Sequence, residues 1–380
     1  MSRKGKQRQK RREQRRCVLC GREICHPAES AAVGLTGYMI CRSCLRTAKK
    51  VAAVEDFRED ETETAEARPI LTPQAIMAEL DKRIIGQDSA KAAISIAFWK
   101  QQLKASGVAS VPRSTLLLHG PTGCGKTAIA REAARIAGLP FIHFDATTLS
   151  EAGYRGRDAD EMVKDLFAAT KDDKKAAYGV IFLDEMDKLA AQGGDQRMAY
   201  ARGTQHSLLR LVEGTELRIG NSFVDTGNLL FIFGGAFSGI SAGRKRHMNP
   251  IGFGVQAVED IGADGLSTED FIAYGMEPEL MGRITQRLAL EPLSREDMKR
   301  ILLESENSVF RQYQAFFLGQ GIQLQLSSKR AEQLIDEALA LGTGARGLQT
   351  AVENMVQPLL FRLAERRNAE TDTWAIEGSA

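Results

Sequence analysis

Gly120-Pro121-Thr122-Gly123-Cys124-Gly125-Lys126-Thr127 is the stretch that decides the fold of this 380-residue chain. It fits the pattern G-x-x-x-x-G-K-[ST], a turn whose glycines let backbone N–H groups surround phosphate oxygens. The apolar run within Ser114 to His119 predicts a buried strand before the turn, and Ala128 to Arg135 predicts a helix after it. Because a helix N-terminus favours anions, we expect Ala128 to join the loop residues in binding a nucleotide.

A second stretch, Val180 to Glu185, completes the predicted site. It is an apolar strand that ends in two carboxylates, and ligands of open α/β folds bind at the carboxyl ends of the strands. Thr127 and Asp184 have the chemistry to hold Mg²⁺, Lys126 can neutralise the outer phosphates, and Glu185 can activate water. A lone match to the loop pattern can arise by chance, but the strand, loop, helix and later acidic strand together predict ATP hydrolysis.

The composition is that of an ordinary soluble protein, with 43% hydrophobic and 26% charged residues. This length has room for two or three domains. The longest apolar stretches, such as Leu229 to Phe233, have the length of strands and fall far short of the roughly 20 residues that a membrane span needs. The N-terminus is basic but lacks the apolar region of a signal peptide, so we expect a cytoplasmic protein without a membrane partner.

Charge is balanced overall, with 51 basic and 49 acidic residues, but it is unevenly distributed. Residues 1–16 hold nine Lys or Arg and one acid, whereas residues 55–66 hold seven acids and one Arg. Runs of this kind are usually flexible tails and solvated linkers. A basic tail can also touch RNA or another acidic surface, and the sequence leaves that alternative open.

Two Cys-x-x-Cys pairs near the N-terminus predict a small structural zinc module. They are separated by twenty residues, the spacing of a zinc ribbon, and they supply a closed shell of four thiolates. Such a shell leaves no open position for substrate, so a catalytic metal is not expected. The predicted zinc ligands are Cys17, Cys20, Cys41 and Cys44. Cys25 and His26 are competing ligands, but they lie in the loop between the pairs.

Strand and helix patterns alternate from about Ile84 to Leu293, which predicts a parallel sheet with helices on both faces. After Pro292 the pattern becomes mainly helical and predicts a lid domain. Thr72 can cap a helix that begins at Pro73. The predicted fold class is α/β, with a P-loop parallel sheet, a C-terminal helical lid and a small N-terminal four-cysteine domain. The expected divisions are a basic tail at 1–16, the zinc-binding domain at 17–52, an acidic linker at 53–70, the ATPase body at 71–292, the lid at 293–367 and a C-terminal tail at 368–380.

The order of these motifs resembles the ClpX family of AAA+ ATPases. The resemblance runs from about Cys17 to about Glu365, and few other families combine the cysteine pairs with this ATPase. Members work as hexameric rings that unfold proteins and feed them to the ClpP barrel peptidase. The resemblance therefore implies a homohexamer, the cofactors ATP, Mg²⁺ and Zn²⁺, and a ClpP-type peptidase as partner. Besides the cysteine pairs and the P-loop, the matching stretches are Ile84 to Gln87, Leu183 to Lys188, Phe231 to Phe237, Ile251 to Gly254, Pro278 to Arg283 and Gly344 to Leu348.

The resemblance also implies roles for single positions around the nucleotide. Ile84 and Ile85 match the apolar segment that packs on adenine. Arg283 matches the arginine that reaches the ATP of the neighbouring subunit, where it would stabilise charge on the transferring phosphate. Arg346 matches the second sensor, an arginine on the lid that couples nucleotide state to lid rotation. The alternatives are ordinary core packing for the isoleucines and a plain surface position for the arginines.

Two further segments match parts that contact the substrate and the partner. Tyr154 and Arg155 fall in the loop that grips substrate inside the pore. Members generally place a small apolar residue where this chain has Arg155, and Arg157 follows, so we expect a more positive pore. The tripeptide Ile251-Gly252-Phe253 matches the anchor that docks into apolar clefts of the peptidase. Local core packing is the alternative for this tripeptide.

One departure from the family lies between Thr215 and Asp225. Members usually insert a longer basic loop there, at the pore entrance, whereas this chain has about nine residues. Recognition at the entrance is therefore expected to differ. The chemistry of the zinc module fits an interaction platform for protein or for nucleic acid, and the resemblance implies that substrates and adaptors bind there.

Three functions fit the sequence. The leading hypothesis is an ATP-driven unfoldase that supplies a separate peptidase, since the chain has neither H-E-x-x-H nor G-x-S-x-G. The second is a remodelling ATPase that works without a peptidase. The third is a nucleic-acid-binding ATPase that uses the zinc module and the basic tail. We rank the third last and expect protein partners rather than nucleic acid.

Overall fold

The chain forms two compact units, Met1–Pro69 and Ile70–Ala380. The computed structural model describes much of the second unit and a few short parts of the first. The described residues are 17, 30–33, 38–41, 44, 69–108, 110–149, 157–170, 172–191, 195–220, 222–240, 266–365 and 372–376.

The first unit contains the strands β1 (Ser30–Val33) and β2 (Tyr38–Cys41). In the second unit the strands are β3 (Thr115–His119), β4 (Phe141–Asp145), β5 (Val180–Asp184), β6 (Glu216–Ile219), β7 (Ser222–Asp225), β8 (Leu230–Gly235), β9 (Gln286–Ala289), β10 (Ile322–Leu326) and β11 (Asp372–Ile376). Its helices are α1 (Pro73–Asp81), α2 (Asp88–Ala105), α3 (Lys126–Ala137), α4 (Asp160–Thr170), α5 (Asp173–Ala176), α6 (Asp195–Glu213), α7 (Thr268–Tyr274), α8 (Pro278–Arg283), α9 (Arg295–Leu303), α10 (Val309–Gly319), α11 (Ser328–Leu341) and α12 (Ala345–Glu365).

A five-stranded sheet in the order β4-β5-β8-β3-β9 forms the centre of the second unit. Every pairing in it is parallel, which confirms the sheet predicted from the alternation of strands and helices. β3 lies between β8 and β9, so the P-loop that follows it leaves from inside the sheet. Because parallel strands end at the same edge, the residues that follow β3, β5 and β8 come together there.

Both faces of the sheet are covered, because successive side chains of a strand enter different cores. In β5, Ile181 and Leu183 pack into one core with α4 and α6, whereas Val180 and Phe182 pack into the other with α1, α2 and α3. A strand that is buried on both faces has no polar side. This explains why β5 is a continuous apolar run rather than an alternating one.

The first helix begins where the sequence predicts. Thr72 is the N-cap of α1, its hydroxyl accepts from the Ala75 backbone N–H at 3.2 Å, and Pro73 occupies the first turn. The cap satisfies a donor that the first helical turn leaves without a helical partner. Within the described part of the chain, no helix is long and apolar enough to cross a membrane.

The C-terminal part of the second unit has its own core, with Phe317, Leu334 and Val352 at its centre. Besides four helices, α9 to α12, it contains a parallel strand pair, β10 with β11. Trp374 of β11 is buried in this core, and the guanidinium carbon of Arg362 lies 4.4 Å from the centre of its ring. Residues 372–376, which were expected in a tail, are thus a strand of the lid. Nothing local predicts this strand, because its partner lies about fifty residues away.

The hairpin of β6 and β7 spans the short connection between Thr215 and Asp225. Thr215 and Thr226 close its base, since Thr215 N donates to Thr226 Oγ1 at 2.9 Å and Thr226 N donates to the Thr215 carbonyl oxygen at 3.0 Å. On the hairpin, Val224 is buried, whereas Phe223 is 71% exposed. A tight hairpin therefore stands where the family is expected to carry a longer basic loop.

The P-loop and the lid touch through their backbones. Ala345 N, at the start of α12, donates to the carbonyl oxygen of Gly123 at 3.1 Å. The φ of Gly123 is +77°, and a Cβ added there would lie 2.0 Å from the carbonyl oxygen of Thr343. Any side chain at Gly123 would therefore strain the backbone and push the lid away from the loop.

We expect Gly123→Ala to destabilise the second unit more than Gly107→Ala. Gly107 is the matched control, because its φ is +85° but nothing lies within 4 Å of an added Cβ. The left-handed backbone should cost each variant about 1 kcal/mol, and the clash with Thr343 should cost Gly123→Ala about 2 kcal/mol more. Unfolding free energies from urea denaturation test this. Equal losses in the two variants would contradict the close contact between loop and lid.

Candidate active site

The P-loop turns tightly between β3 and α3 because its glycines permit unusual backbone angles and close contacts. Gly120 has a φ of +144°, and a Cβ there would lie 2.3 Å from the carbonyl oxygen of Leu290. Directly after Gly125, α3 begins at Lys126, so the N–H groups of its first turn face the loop. These donors and the helix dipole make the loop an anion-binding site.

Lys126 lies inside the curve of the loop and is only 9% exposed. Its Nζ donates to the carbonyl oxygens of Gly120 at 2.7 Å and Pro121 at 2.9 Å. A buried ammonium group requires such acceptors, since burial without them is costly. These contacts keep the positive charge of Lys126 within the loop.

Asp184 connects the P-loop helix α3 to the end of β5. Thr127 Oγ1 donates to Asp184 Oδ2 at 2.7 Å, and the backbone N–H of Glu185 donates to Oδ1 at 2.9 Å. On the adjacent strand β4, His143 Nε2 lies 3.7 Å from Oδ2. Each carboxylate oxygen has a partner, so the carboxylate is held in one orientation.

The same partners control the ionisation of Asp184. Burial alone would raise the pKa of Asp184, but the nearby His143, the Thr127 hydroxyl and the Glu185 N–H outweigh it and lower this pKa from 3.8 to about 2. Groups that interact with the charged form favour ionisation. Asp184 is therefore a carboxylate at neutral pH, which is the form that binds a divalent cation.

Glu185 follows Asp184 at the edge of the sheet and is exposed. Its φ is +57°, a left-handed backbone that residues other than glycine seldom adopt. This turn ends β5 and starts the short helix Met186–Leu189. Strained backbone of this kind is often found at functional sites, where it sets the direction of a side chain.

A cavity of about 380 Å³ brings most of the predicted residues together. It lies between the P-loop, the carboxyl edge of the sheet and the first turn of α12, so body and lid both contribute. Carboxylates, a hydroxyl and cationic side chains around a helix N-terminus suit a nucleotide phosphate with a divalent cation. The predicted residues that line it are Thr122, Gly123, Gly125, Lys126, Thr127, Ala128, Asp184, Glu185 and Arg346.

A smaller cavity of about 150 Å³ adjoins the P-loop on its lid side. Pro121 and Cys124 line it from the loop, and Met298 and Leu339 line it from the lid. Burial raises the pKa of the Cys124 thiol, so this cysteine stays neutral and acts as a small filler in the wall. Walls of this kind suit a flat apolar ring better than a phosphate.

Ile84 and Ile85 line neither of these two cavities. Ile85 is buried, and Ile84 packs against the core beneath α3. The nearby Gln87 reaches further: its Nε2 donates to the Glu291 carbonyl oxygen at 2.9 Å, and its Oε1 accepts from the Glu291 N–H at 3.0 Å. Gln87 thereby fixes the segment that leads from β9 into the lid. The sequence predicts no role for Gln87, because its partner lies 204 residues away.

Arg283 does not line the cavity of its own chain. It is the last residue of α8 and is exposed, and its Nε and Nη2 donate to Glu213 Oε1 at 3.0 and 2.6 Å. The fold thus brings Arg346 to the P-loop but leaves Arg283 elsewhere on the surface.

Two supporting residues of the site were missed by the sequence analysis. One is His143, whose signal was a histidine inside the apolar run Phe141 to Phe144. The other is Asp187, which is 6% exposed and accepts from the backbone N–H of Ala236 at 3.0 Å. Asp187 thereby fixes the residue that follows β8. The sequence feature that points to Asp187 is its place just beyond Asp184-Glu185, in a segment that was otherwise predicted correctly.

In the first unit, three thiols converge. The sulfur atoms of Cys17, Cys41 and Cys44 lie within 4.8 Å of one another, and Cys17 and Cys41 are buried. Cys41 ends β2, which pairs antiparallel with β1. Thiols from both predicted pairs therefore meet, and sulfur donors in this arrangement fit Zn²⁺. Cys20, the fourth predicted ligand, lies outside the described residues.

Two other predictions also fall outside the described residues. They are the substrate-gripping pair Tyr154 and Arg155, and the docking tripeptide Ile251-Gly252-Phe253.

Arg157, by contrast, is described, and its charge is matched. Its Nε donates to Glu161 Oε2 at 2.8 Å, and its Nη2 donates to Asp165 Oδ2 at 2.5 Å. The guanidinium carbon also lies 4.4 Å from the centre of the Phe144 ring. Glu161 and Asp165 therefore match the charge of Arg157. The expected more positive pore, which also depends on Arg155, stays a prediction. The two acids, Glu161 and Asp165, are four residues apart on α4, so they lie on the same face of that helix.

Comparison with known proteins matches two consecutive parts of the second unit to two family models. Residues 111–287 match the AAA domain (Cdc48 subfamily), and residues 293–375 match the C-terminal, D2-small domain of ClpB protein. The chain is 34% identical to the ATP-dependent Clp protease ATP-binding subunit ClpX of Borrelia duttonii, over 91% of this chain and 86% of the relative. The protein of the same name from Azotobacter vinelandii is also 34% identical, over the same shares of the two chains.

We expect the ionised Asp184 to contribute stability that depends on pH. Since its pKa of about 2 lies below the ordinary 3.8, the contribution is complete above about pH 4 and is lost as pH falls toward 2. The gap in unfolding free energy between the wild type and Asp184→Asn should therefore shrink over that range, as measured by urea denaturation. With His143→Gln as background, the pKa of Asp184 is lowered less, so the gap should shrink by a smaller amount. A gap that stays constant would contradict the lowered pKa.

Proposed function

Because this chain belongs to the ClpX family of AAA+ ATPases, we propose that it is an ATP-driven protein unfoldase and translocase that delivers its substrates to a ClpP-type peptidase. The observation that carries the proposal is the cavity in which the P-loop, the acidic end of β5 and the lid residue Arg346 meet. A nucleotide bound there would touch body and lid at once. Its hydrolysis can therefore move one against the other.

Nucleotide binding rests on the P-loop. The N–H groups at the start of α3 receive phosphate oxygens, and Lys126 exchanges its contacts with the Gly120 and Pro121 carbonyls for the outer phosphates. Thr127 and Asp184 hold Mg²⁺, since a hydroxyl and an ionised carboxylate 2.7 Å apart suit a hard cation. When bound, that ion supplies positive charge to the phosphates.

Hydrolysis requires a base and a counter-charge. The roles divide between the two carboxylates: Asp184 is held by its hydrogen bonds, whereas the exposed Glu185 is available to orient water and take its proton. We assign Arg283, which does not line the cavity of its own chain, to the site of the neighbouring subunit in a homohexamer, where it contributes positive charge.

The base binds between loop and lid. The smaller cavity, with Pro121, Cys124, Met298 and Leu339 in its walls, receives adenine. Ile84 and Ile85 support this side of the site from the core rather than by lining the cavity. Arg346 senses the γ phosphate from the lid, and the backbone contact of Gly123 with Ala345 passes the change on. The body extends over 71–292 and the lid over 293–367, with strand β11 added to the lid.

The N-terminal unit holds a structural zinc ion through Cys17, Cys20, Cys41 and Cys44. The convergence of three of these thiols supports the assignment. A module of this kind folds around its metal and offers a surface to substrates or adaptors. Elemental analysis of the purified chain before and after Cys17→Ser tests it, and unchanged zinc content in the variant would refute it.

The parts that meet substrate and partner complete the proposal. Tyr154 and Arg155 grip the translocated chain, and Ile251-Gly252-Phe253 docks on the peptidase, which supplies the peptide hydrolysis. Because the charge of Arg157 is matched by Glu161 and Asp165, Arg155 alone changes the charge of the grip. Substrate preference therefore depends on Arg155 rather than on Arg157.

We expect the full chain, mixed with ATP and a purified ClpP-type peptidase, to degrade a tagged folded protein. Glu185→Gln should lower ATP turnover roughly a hundredfold and stop degradation, because the base is lost. Phe253→Ala should lower degradation at least about tenfold, since a buried aromatic anchor is lost from each docking contact. Peptide release and ATP turnover are measured in the same samples.

Degradation and unfolding, measured separately, distinguish the possible outcomes. If Phe253→Ala degrades normally, the docking assignment is wrong. If the wild type unfolds the tagged protein but the peptidase never degrades it, the chain is a remodelling ATPase instead. Wild-type unfolding can be followed by the fluorescence of the tagged protein, without the peptidase.

A further inference from the structure

The carboxylate of Glu213 binds one edge of the Arg283 guanidinium. Both partners are exposed, with 42% of the Glu213 side chain and 57% of the Arg283 side chain accessible. Arg283 Nε and Nη2 share a single acceptor, Glu213 Oε1, at 3.0 and 2.6 Å. Within the described part of the chain, Nη1 of Arg283 makes no hydrogen bond. One edge of the guanidinium is thus fixed, and the other remains available.

Glu213 is itself fixed by a second arginine. It is the last residue of α6, and its carbonyl oxygen accepts from Arg113 Nη1 at 2.5 Å. Arg113 has little room to move, because a Cβ added to Gly227 would lie 2.3 Å from its Nη2. The residue that binds Arg283 therefore lies at a helix end whose backbone is held by Arg113.

A glutamate at the position of Glu213 does not stabilise α6 by itself. The last turn of a helix carries partial negative charge, so a carboxylate there is unfavourable without nearby cations. Arg113 and Arg283 supply those cations. Exposed ion pairs contribute little to folding stability. The two hydrogen bonds to Glu213 instead set the direction in which one edge of the Arg283 guanidinium faces.

We propose that Glu213 is the positioning residue of Arg283 in the ATPase reaction. This inference rests on the proposed role of Arg283 in the ATP site of the neighbouring subunit. A free arginine side chain populates many rotamers, and fixing it costs entropy. Glu213 removes that cost before the phosphate arrives, and Nη1 remains to donate to the transferring phosphate.

The test uses mixed assemblies, in which the subunit that donates the arginine differs from the subunit that hydrolyses ATP. Arg283→Ala subunits keep their own P-loop and base but donate no arginine. Glu185→Gln subunits donate the arginine but lack the base. Neither should turn over ATP well alone, and mixing them should restore turnover.

The donor is then changed at Glu213. A Glu185→Gln/Glu213→Ala donor should lower the restored kcat roughly tenfold, with the KM for ATP little changed, because ATP binds the other subunit. A Glu185→Gln/Glu213→Gln donor, which keeps an acceptor oxygen without its charge, should give an intermediate kcat. This intermediate value keeps the proposal testable if the alanine donor fails to fold.

Arg210 provides the matched control. It lies one turn before Glu213 on α6 and forms an exposed ion pair with Asp160. A Glu185→Gln/Arg210→Ala donor should restore turnover as well as Glu185→Gln does. Co-sedimentation measures how much of each donor enters the mixed assemblies.

The outcomes distinguish the role of Arg283 in the neighbouring site from the positioning role of Glu213. If Arg283→Ala and Glu185→Gln subunits co-assemble but do not restore turnover, the role of Arg283 in the neighbouring site is overturned. If they restore it, and the Glu213→Ala and Glu213→Gln donors restore it equally well, only the positioning role of Glu213 is overturned. A kcat above that of the intact donor would mean that Glu213 restrains Arg283, and it would also overturn the proposal.

Discussion

The hydrogen bond from Thr127 to Asp184 joins the two sequence elements that make the site. One element, the P-loop, provides donors for phosphate, and the other, the end of β5, provides the acid. These elements come from strands that are not neighbours, since β8 lies between β3 and β5. The 2.7 Å hydrogen bond holds the P-loop helix next to the end of β5. Because Asp184 is ionised at neutral pH, it accepts this hydrogen bond there. Lys126, Glu185 and Arg346 gain their positions around this pair.

Much of this arrangement can be predicted from the sequence, because it is built from local patterns. The apolar runs that become β3 and β5 are buried on both faces, and a continuous run of that kind is typical of a buried strand. Thr72 and Pro73 mark the first helix by capping chemistry that depends on a few adjacent residues. The cysteine pairs were equally local, and three of their thiols meet. In each case the signal itself spans only a few adjacent residues, although the two cysteine pairs that meet are twenty residues apart in the sequence.

Contacts between distant residues could not be predicted in this way. Gln87 binds the backbone of Glu291, and Arg283 binds Glu213, across 204 and 70 residues. The strand that carries Trp374 gains its place only from pairing with β10. Such contacts join residues that are distant in sequence, and no periodicity of hydrophobic residues encodes them.

The account therefore predicts a site that one subunit cannot complete. The direct measurement is ATP turnover per subunit as a function of subunit concentration, with nucleotide binding and sedimentation followed in parallel. Binding should be independent of concentration, because the P-loop, Thr127 and Asp184 belong to one chain. Turnover should rise steeply at the concentration at which subunits assemble, because Arg283 must come from a neighbour. Full turnover at concentrations where sedimentation finds only monomers would contradict the account.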